Sequence, residues 1–353
     1  MKAVRLEQVG SPLQLEEIAD PIPRPGGVVV KIMCAPVLTF MKQVFSGELG
    51  YAMPTPFTPG ANAVGRVESV AEDVFDLEPG QMVYVDPMIM SRNNGVASDA
   101  LLIGLAGLTP LSGRLQAIWR DGTFAEKALL PAECLTPLDK VQSVEPNQLA
   151  CLSYFVIPYG GLLRGEFRPG QTLIINGATG NLGAGAVLVA LTMGAGKVVA
   201  VGRNQQVLDK LQQLDSRRVV QFVLQGNAAE DAEQLRLVAE GADLVLDLLG
   251  GAKTSDPTVS CIQALRPKGT AVLMGGVQAS LPLPYPQIMM SEFTIRGAFM
   301  YPRQAPSELI EMVAAGTLDL SQLQIFSYRL DQIQEAIERA STVRGLEYVV
   351  AVP

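Results

Sequence analysis

A chain of 353 residues, 48% of them apolar and 18% charged, has material for two sizeable cores and excludes a disordered chain or a coiled-coil rod. A net charge of −8 with no Lys/Arg cluster argues against nucleic acid and anionic membrane as partners. There is no histidine, which removes imidazole bases, Ser-His-Asp triads and every zinc site that needs imidazole.

The first fifteen residues are charged and strand-like, unlike a signal peptide. Residues 1 to about 150 read as short strands, Val28–Met33, Ala63–Val70 and Met82–Val85, cut by the turn clusters IPRPGG, TPFTPG and EPG. That pattern predicts a compact, irregular β-barrel. Cys34, Cys134, Cys151 and Cys261 stand far apart without a C-x-x-C pair, so a reduced, cytoplasmic setting is expected. From about 155 buried apolar strands alternate with helices: Thr172–Asn176, helix Asn181–Met193, Lys197–Val201, helix Gln205–Leu214, then Val219–Val223, Leu244–Asp247 and Ala271–Met274. This is the signature of an α/β, doubly wound parallel sheet. Residues 171–196 carry no charged side chain, but their glycine and asparagine breaks fit a strand, turn and helix better than a membrane span. Amphipathic helices at Ser307–Ala315 and Leu330–Ala340 and a strand at Tyr348–Val352 close the chain.

The most informative stretch is IINGATGNLG, 174–183. A strand ends at Asn176 and a turn with glycines at 177, 180 and 183 opens a helix. Small residues there let the backbone approach a pyrophosphate, whose charge meets the helix N-terminus. Gly177, Ala178, Thr179, Gly180, Asn181 and Leu182 are therefore candidate dinucleotide-binding residues; the alternative is a packing turn without a ligand. The next strand ends in Gly202-Arg203-Asn204, where an NAD site usually places an acid. Gly202 leaves space for a 2′-phosphate and Arg203 can pair with it while stacking on adenine, which points to NADP(H). A solvated surface arginine is the other reading.

Over nearly its whole length the sequence resembles the medium-chain dehydrogenase/reductase superfamily, through PTPFTPGANAVGRV (54–67), EPGQMVYV (78–85), DGTFAEKALLP (121–131), RPGQTLIINGATGNLG (168–183), ADLVLDLLGG (242–251) and KGTAVLMGG (268–276). The resemblance implies a GroES-like β-barrel catalytic domain at 1–154, a Rossmann NADP(H)-binding domain at 155–292 and a return to the catalytic domain at 293–353. The positions of the zinc ligands read Leu38, Ala61 and Ser153, none of which binds zinc well, so no metal is expected. The lobe that holds four structural cysteines in zinc enzymes is 86–113 here, without cysteine. The chain thus resembles the zinc-free branch of quinone oxidoreductases and enoyl reductases. Ile157-Pro158-Tyr159 stands where many relatives have Thr-Ala-Tyr, and Cys34 reads as core.

The expected function is NADPH-dependent hydride transfer to an activated alkene, quinone or related conjugated carbonyl. Alternatives are a carbonyl/alcohol oxidoreductase and a non-catalytic NADPH-binding protein. With neither metal nor histidine, a proton must come from a hydroxyl, an amide or solvent. Tyr51, which the resemblance places near a tyrosine used by enoyl-reducing relatives, Thr39 and Asn62 are the candidates; Tyr51 also reads as a pocket-lining or a surface aromatic. Leu249, Gly275, Gly276 and Val277, at strand ends, and Phe299 and Met300, in a stretch resembling the family's return crossing, are expected to flank the nicotinamide or line its cleft. Met88, Met90, Trp119 and the apolar 101–111 insert are expected to wall the substrate cleft or a subunit interface. The expected partners are a small-molecule substrate and, by resemblance, a second copy in a homodimer or tetramer.

Overall fold

The structure, a computed structural model, describes residues 1–90 and 100–353; part of the 86–113 lobe lies outside the described residues. The chain divides into two compact units, one of 1–153, 320–343 and 347–353, the other of 154–319 and 344–346.

In the first unit Gly27–Pro36 is the central strand. It pairs antiparallel with Ala63–Val70 and Lys127–Pro131, and Ala63–Val70 continues through Met82–Val85 to Leu135–Pro137. Its Val28, Val29 and Val30 are all buried, as suits β-branched residues in a strand covered on both faces. Beyond its other end come Glu347–Val352 and Gln324–Arg329, so the last residues of the chain complete the first unit's sheet. Met88–Met90, Ala100–Leu102 and Ala106–Gly107 form a separate three-stranded sheet. Leu101, Ile103 and Leu105 are buried there, so that part of the apolar insert is core.

The second unit contains six parallel strands: β1 (Thr172–Asn176), β2 (Lys197–Gly202), β3 (Val219–Val223), β4 (Ala242–Asp247), β5 (Leu265–Leu273) and β6 (Thr294–Gly297). Their order, 3-2-1-4-5-6, is that of a doubly wound dinucleotide-binding sheet, as the alternating pattern predicts. Helices α1 (Asn181–Thr192), α2 (Gln205–Leu214), α3 (Ala228–Ala239) and α4 (Asp256–Gln263) connect the strands. Ile174, Val199, Val201, Leu235, Val245 and Ile262 meet in the buried core. The uncharged stretch 171–196 resolves into β1, the glycine turn, α1 and the turn before β2. Among the described residues no helix is long and apolar enough to cross a membrane.

Two expectations need correction. The return to the first unit comes at Leu320 rather than 293, because Thr294–Gly297 pairs in parallel with β5 and extends the second unit's sheet. The expected helix from Leu330 begins as a 3-10 turn, Leu330–Gln332, and becomes α-helical only over Ile333–Thr342.

Candidate cofactor and catalytic sites

The glycine turn follows β1. Gly177 adopts φ +82°, a left-handed conformation that favours glycine. A Cβ on Gly183 would lie 2.1 Å from the Gly177 carbonyl oxygen, so only glycine lets α1 come this close to the turn. Gly180 is the N-cap of α1 and brings no side-chain acceptor to the first turn. The Ala178 N–H is already committed to the Val201 carbonyl at 2.9 Å, which ties the turn to β2. A tight backbone turn leading into a helix N-terminus without a side-chain cap is the geometry that accepts a phosphate.

At the end of β2, a Cβ on Gly202 would lie 2.4 Å from the Thr179 methyl carbon and 2.9 Å from its hydroxyl. The space that Gly202 was expected to leave for a 2′-phosphate is therefore filled by Thr179; the glycine serves packing against the turn. Asn204 is likewise drawn into the fold, since its Oδ1 accepts from the Val207 N–H at 3.2 Å and caps α2. Arg203 between them is exposed and makes no ion pair among the described residues. Sequence reasoning missed Arg344. The 344–346 segment belongs to this unit: the Gly345 N–H donates to the Thr179 carbonyl at 3.1 Å, and Asn181 Nδ2 donates to the Gly345 carbonyl at 3.2 Å. Gly345 also packs on Val207, at the start of α2. Exposed Arg344 is thus held beside the glycine turn by contacts that join residues far apart in sequence, for which no local motif exists.

The ends of β1 and β4 are locked by a buried polar cluster. Asp247 accepts from Thr258 Oγ1 at 2.6 Å, the Leu249 N–H at 2.9 Å and Asn176 Nδ2 at 3.2 Å. Burial raises its carboxyl pKa, and the hydrogen bonds from Thr258, Leu249 and Asn176 oppose the rise. This cluster fixes the backbone of Leu249, one of the expected cofactor contacts, a role for Asp247 that no motif marks. Gly275, Gly276 and Val277 follow β5, and Gly276 opens onto free space. Phe299 is 74% exposed, whereas the Met300–Tyr301 backbone packs against Gly160 of the helix Ser153–Arg164. Tyr159 in the same helix donates to Glu308 Oε2 at 2.7 Å; burial, then this carboxylate, raises its phenol pKa.

In the first unit Tyr51 is 41% exposed, and neither its hydroxyl nor that of half-buried Thr39 has a hydrogen-bond partner among the described residues. Asn62 is buried, and its Nδ2 donates to the Tyr84 hydroxyl at 3.0 Å and the Val85 carbonyl at 3.4 Å. The amide hydrogen bond expected for a substrate is therefore committed inside the barrel. Burial pushes the Tyr84 phenol far up, and the Cys34 thiol up to about 12. The Cys151 thiol, also buried, is shifted upward as well. Cys34 and Cys151 are accordingly protonated core groups rather than nucleophiles or metal ligands.

Leu38 and Ala61, at the positions where zinc relatives carry ligands, are buried and offer no donor. Ser153 offers one neutral hydroxyl, buried without a partner. Among the described residues no cluster of three or more carboxylate, thiol or imidazole side chains exists that could hold a metal. The donor set does not fit zinc.

Comparison with known proteins gives a consistent frame. Residues 24–140 match an alcohol dehydrogenase GroES-like domain and residues 182–315 a zinc-binding dehydrogenase domain. An NAD-dependent alcohol dehydrogenase of Sulfurisphaera tokodaii is 27% identical, with both chains covered in full. A zinc-binding dehydrogenase of Sinorhizobium meliloti bound to NADP superposes with a TM-score of 0.82 at 22% identity, covering 100% of this chain and 99% of the other. A short chain alcohol dehydrogenase of Escherichia coli complexed with NADH gives 0.83 at 18% identity with the same coverage. Two of these relatives are named alcohol dehydrogenases and one a zinc-binding dehydrogenase; none carries the quinone or enoyl reductase names to which the sequence resemblance points. The two domain matches, on a chain whose second unit has the 3-2-1-4-5-6 sheet and glycine turn of a dinucleotide fold, place it in the medium-chain dehydrogenase/reductase superfamily of NAD(P)-dependent oxidoreductases.

Proposed function

We propose that the chain is an NADP(H)-dependent oxidoreductase that works without zinc and reduces conjugated acceptors such as enones and quinones. The observation that carries the cofactor reading is Arg203, exposed and without an ion pair among the described residues, at the end of β2 beside a turn built for close phosphate approach. Gly177, Gly180, Asn181 and Leu182 would hold the pyrophosphate and Arg203 the ribose phosphate, with Leu249 and Gly275–Val277 toward the nicotinamide. When bound, NADP(H) supplies or accepts a hydride at nicotinamide C4.

The acceptor class follows from charge. Reduction of a simple ketone builds an alkoxide, and the positions that hold zinc in relatives are Leu38, Ala61 and Ser153 here. A conjugated acceptor spreads the developing charge, so hydroxyl or backbone donors suffice. In the barrel unit the hydroxyls of Tyr51 and Thr39, without a hydrogen-bond partner among the described residues, are the candidate proton donors. A second reading, alcohol or carbonyl oxidoreduction, is favoured by the names of the relatives. The reading extends to a homodimer: β6 lies at the rim of its sheet, and the neighbouring helix Tyr285–Ser291 exposes Tyr285, Met289 and Met290.

NADPH oxidation against a panel of enones, quinones, aldehydes and ketones tests the reaction. Turnover of the conjugated members is expected. Rapid turnover of unconjugated ketones with the conjugated ones inert would establish the second reading, and inactivity throughout would indicate a binding protein.

A further inference from the structure

We propose that the barrel unit carries a second small-molecule site, for an organic anion with a short apolar tail, centred on Arg24. A cavity of about 370 Å³ opens in this unit, lined by Arg24, Arg120 and Lys127 together with Ile18, Ile118 and Leu129. Its volume lies within the range of small-molecule pockets. It shares none of its lining with Thr39, Tyr51, Asn62 or the glycine turn.

The charges on this wall are unequally matched. Lys127 is held by Asp20 at 2.6 Å and Glu68 at 2.8 Å, and the Met1 ammonium by Asp20 at 3.0 Å. Asp121, also on the wall, is engaged by Arg5 at 3.0 Å and the Thr58 N–H at 2.7 Å, while Arg120 reaches its second oxygen only at 3.7 Å. Arg24 makes no ion pair among the described residues. Its guanidinium lies 4.2 Å above the ring of Trp119, and its Nε is buried with no acceptor. Ring stacking supports a cation but accepts no in-plane N–H. A partly desolvated guanidinium without a carboxylate is costly, and burial lowers its pKa accordingly. An anionic head entering the cavity would supply the missing counter-charge. The apolar side chains of Ile18, Ile118 and Leu129 would cover a tail of a few methylenes, which favours a carboxylate or phosphate monoester of an alkyl chain over a bare inorganic ion.

Trp119 is the chain's single tryptophan, so its emission reports on Arg24 directly. Octanoate and octyl phosphate, titrated into the full-length protein at constant ionic strength, are expected to change that emission saturably, with calorimetry giving the same affinity. Octylamine and inorganic phosphate should bind at least tenfold more weakly. Arg24→Gln should weaken binding of the tailed anions by tenfold or more at an unchanged melting temperature, and Arg24→Lys by less. Should Arg24→Gln not fold, Arg120→Gln, at the rim, should still weaken binding severalfold. The proposal is overturned by the absence of saturation, by octylamine or inorganic phosphate binding as well as the tailed anions, or by folded Arg24 and Arg120 variants that bind as the wild type does. None of these readouts depends on the cofactor reading or on turnover.

Discussion

Replacing Arg203 by alanine separates a phosphate-binding arginine from a surface one. The side chain is exposed and makes no ion pair among the described residues, so its removal strands no buried partner and should leave the melting temperature unchanged. What it removes is a charge-assisted contact to the 2′-phosphate, about 1.5–3 kcal/mol, or roughly ten- to a hundredfold in affinity. NADH lacks that phosphate and shares only the adenine stacking, so its affinity should fall much less. The assay is titration of NADPH and NADH into wild type and Arg203→Ala at fixed ionic strength, followed by nicotinamide fluorescence. Added salt should narrow the wild-type preference for NADPH, because the contact is solvent-exposed. A wild type that binds both cofactors equally, or a variant that loses both equally, would refute the assignment.

Other perturbations give distinct signatures. Arg344→Ala should also weaken NADPH binding, by less than Arg203→Ala, in the same titration, if its placement beside Thr179 and Asn181 brings it to the phosphates. Asp247→Ala leaves the Thr258 hydroxyl, the Leu249 N–H and Asn176 Nδ2 without their acceptor; denaturant unfolding should show a loss of about 1–3 kcal/mol for each buried donor left unsatisfied. Tyr51→Phe should lower turnover by about 10²- to 10⁴-fold if the phenol is the proton donor, with NADPH binding intact, and should be silent if water is. The Arg218 side chain holds the Asp215 carboxyl below its usual range. A folded-state pKa below the unfolded value means this contribution is complete above the unfolded pKa and is lost as pH falls through the folded one. Melting temperature should therefore drop on acidification below the ordinary aspartate range, and less so in Asp215→Asn, whose stability at neutral pH is the lower.

How far the sequence could be read depended on the range of the interactions involved. The turn at 177–183 was legible because its requirements are local: a strand end, small residues and a helix start within ten positions. The sheet was legible from alternation alone, since parallel strands buried on both faces read as apolar runs. The end of the second unit was misplaced because β6 is four residues long, and only its pairing with β5 shows which sheet it joins. Gly202 illustrates a different limit. Its lack of a side chain was visible, but not that Thr179 fills the space. Asn62 reads in the sequence as an amide donor for the substrate, with nothing to show that Tyr84 and Val85 take up its amide. Asp247 is tied to Thr258 and Asn176, 11 and 71 residues away, and Gly345, next to Arg344, to Asn181, 164 residues away, where no motif marks them.

Turnover by the barrel unit without zinc is tested most directly by the metal content of the active enzyme. Zinc should be quantified in the same preparation whose NADPH-dependent turnover is assayed, before and after dialysis against a chelator. Full turnover with zinc far below one ion per chain, unchanged by the chelator, is the expected result. About one tightly bound zinc per chain, with activity that disappears on its removal and returns on its replacement, would contradict zinc-independent turnover.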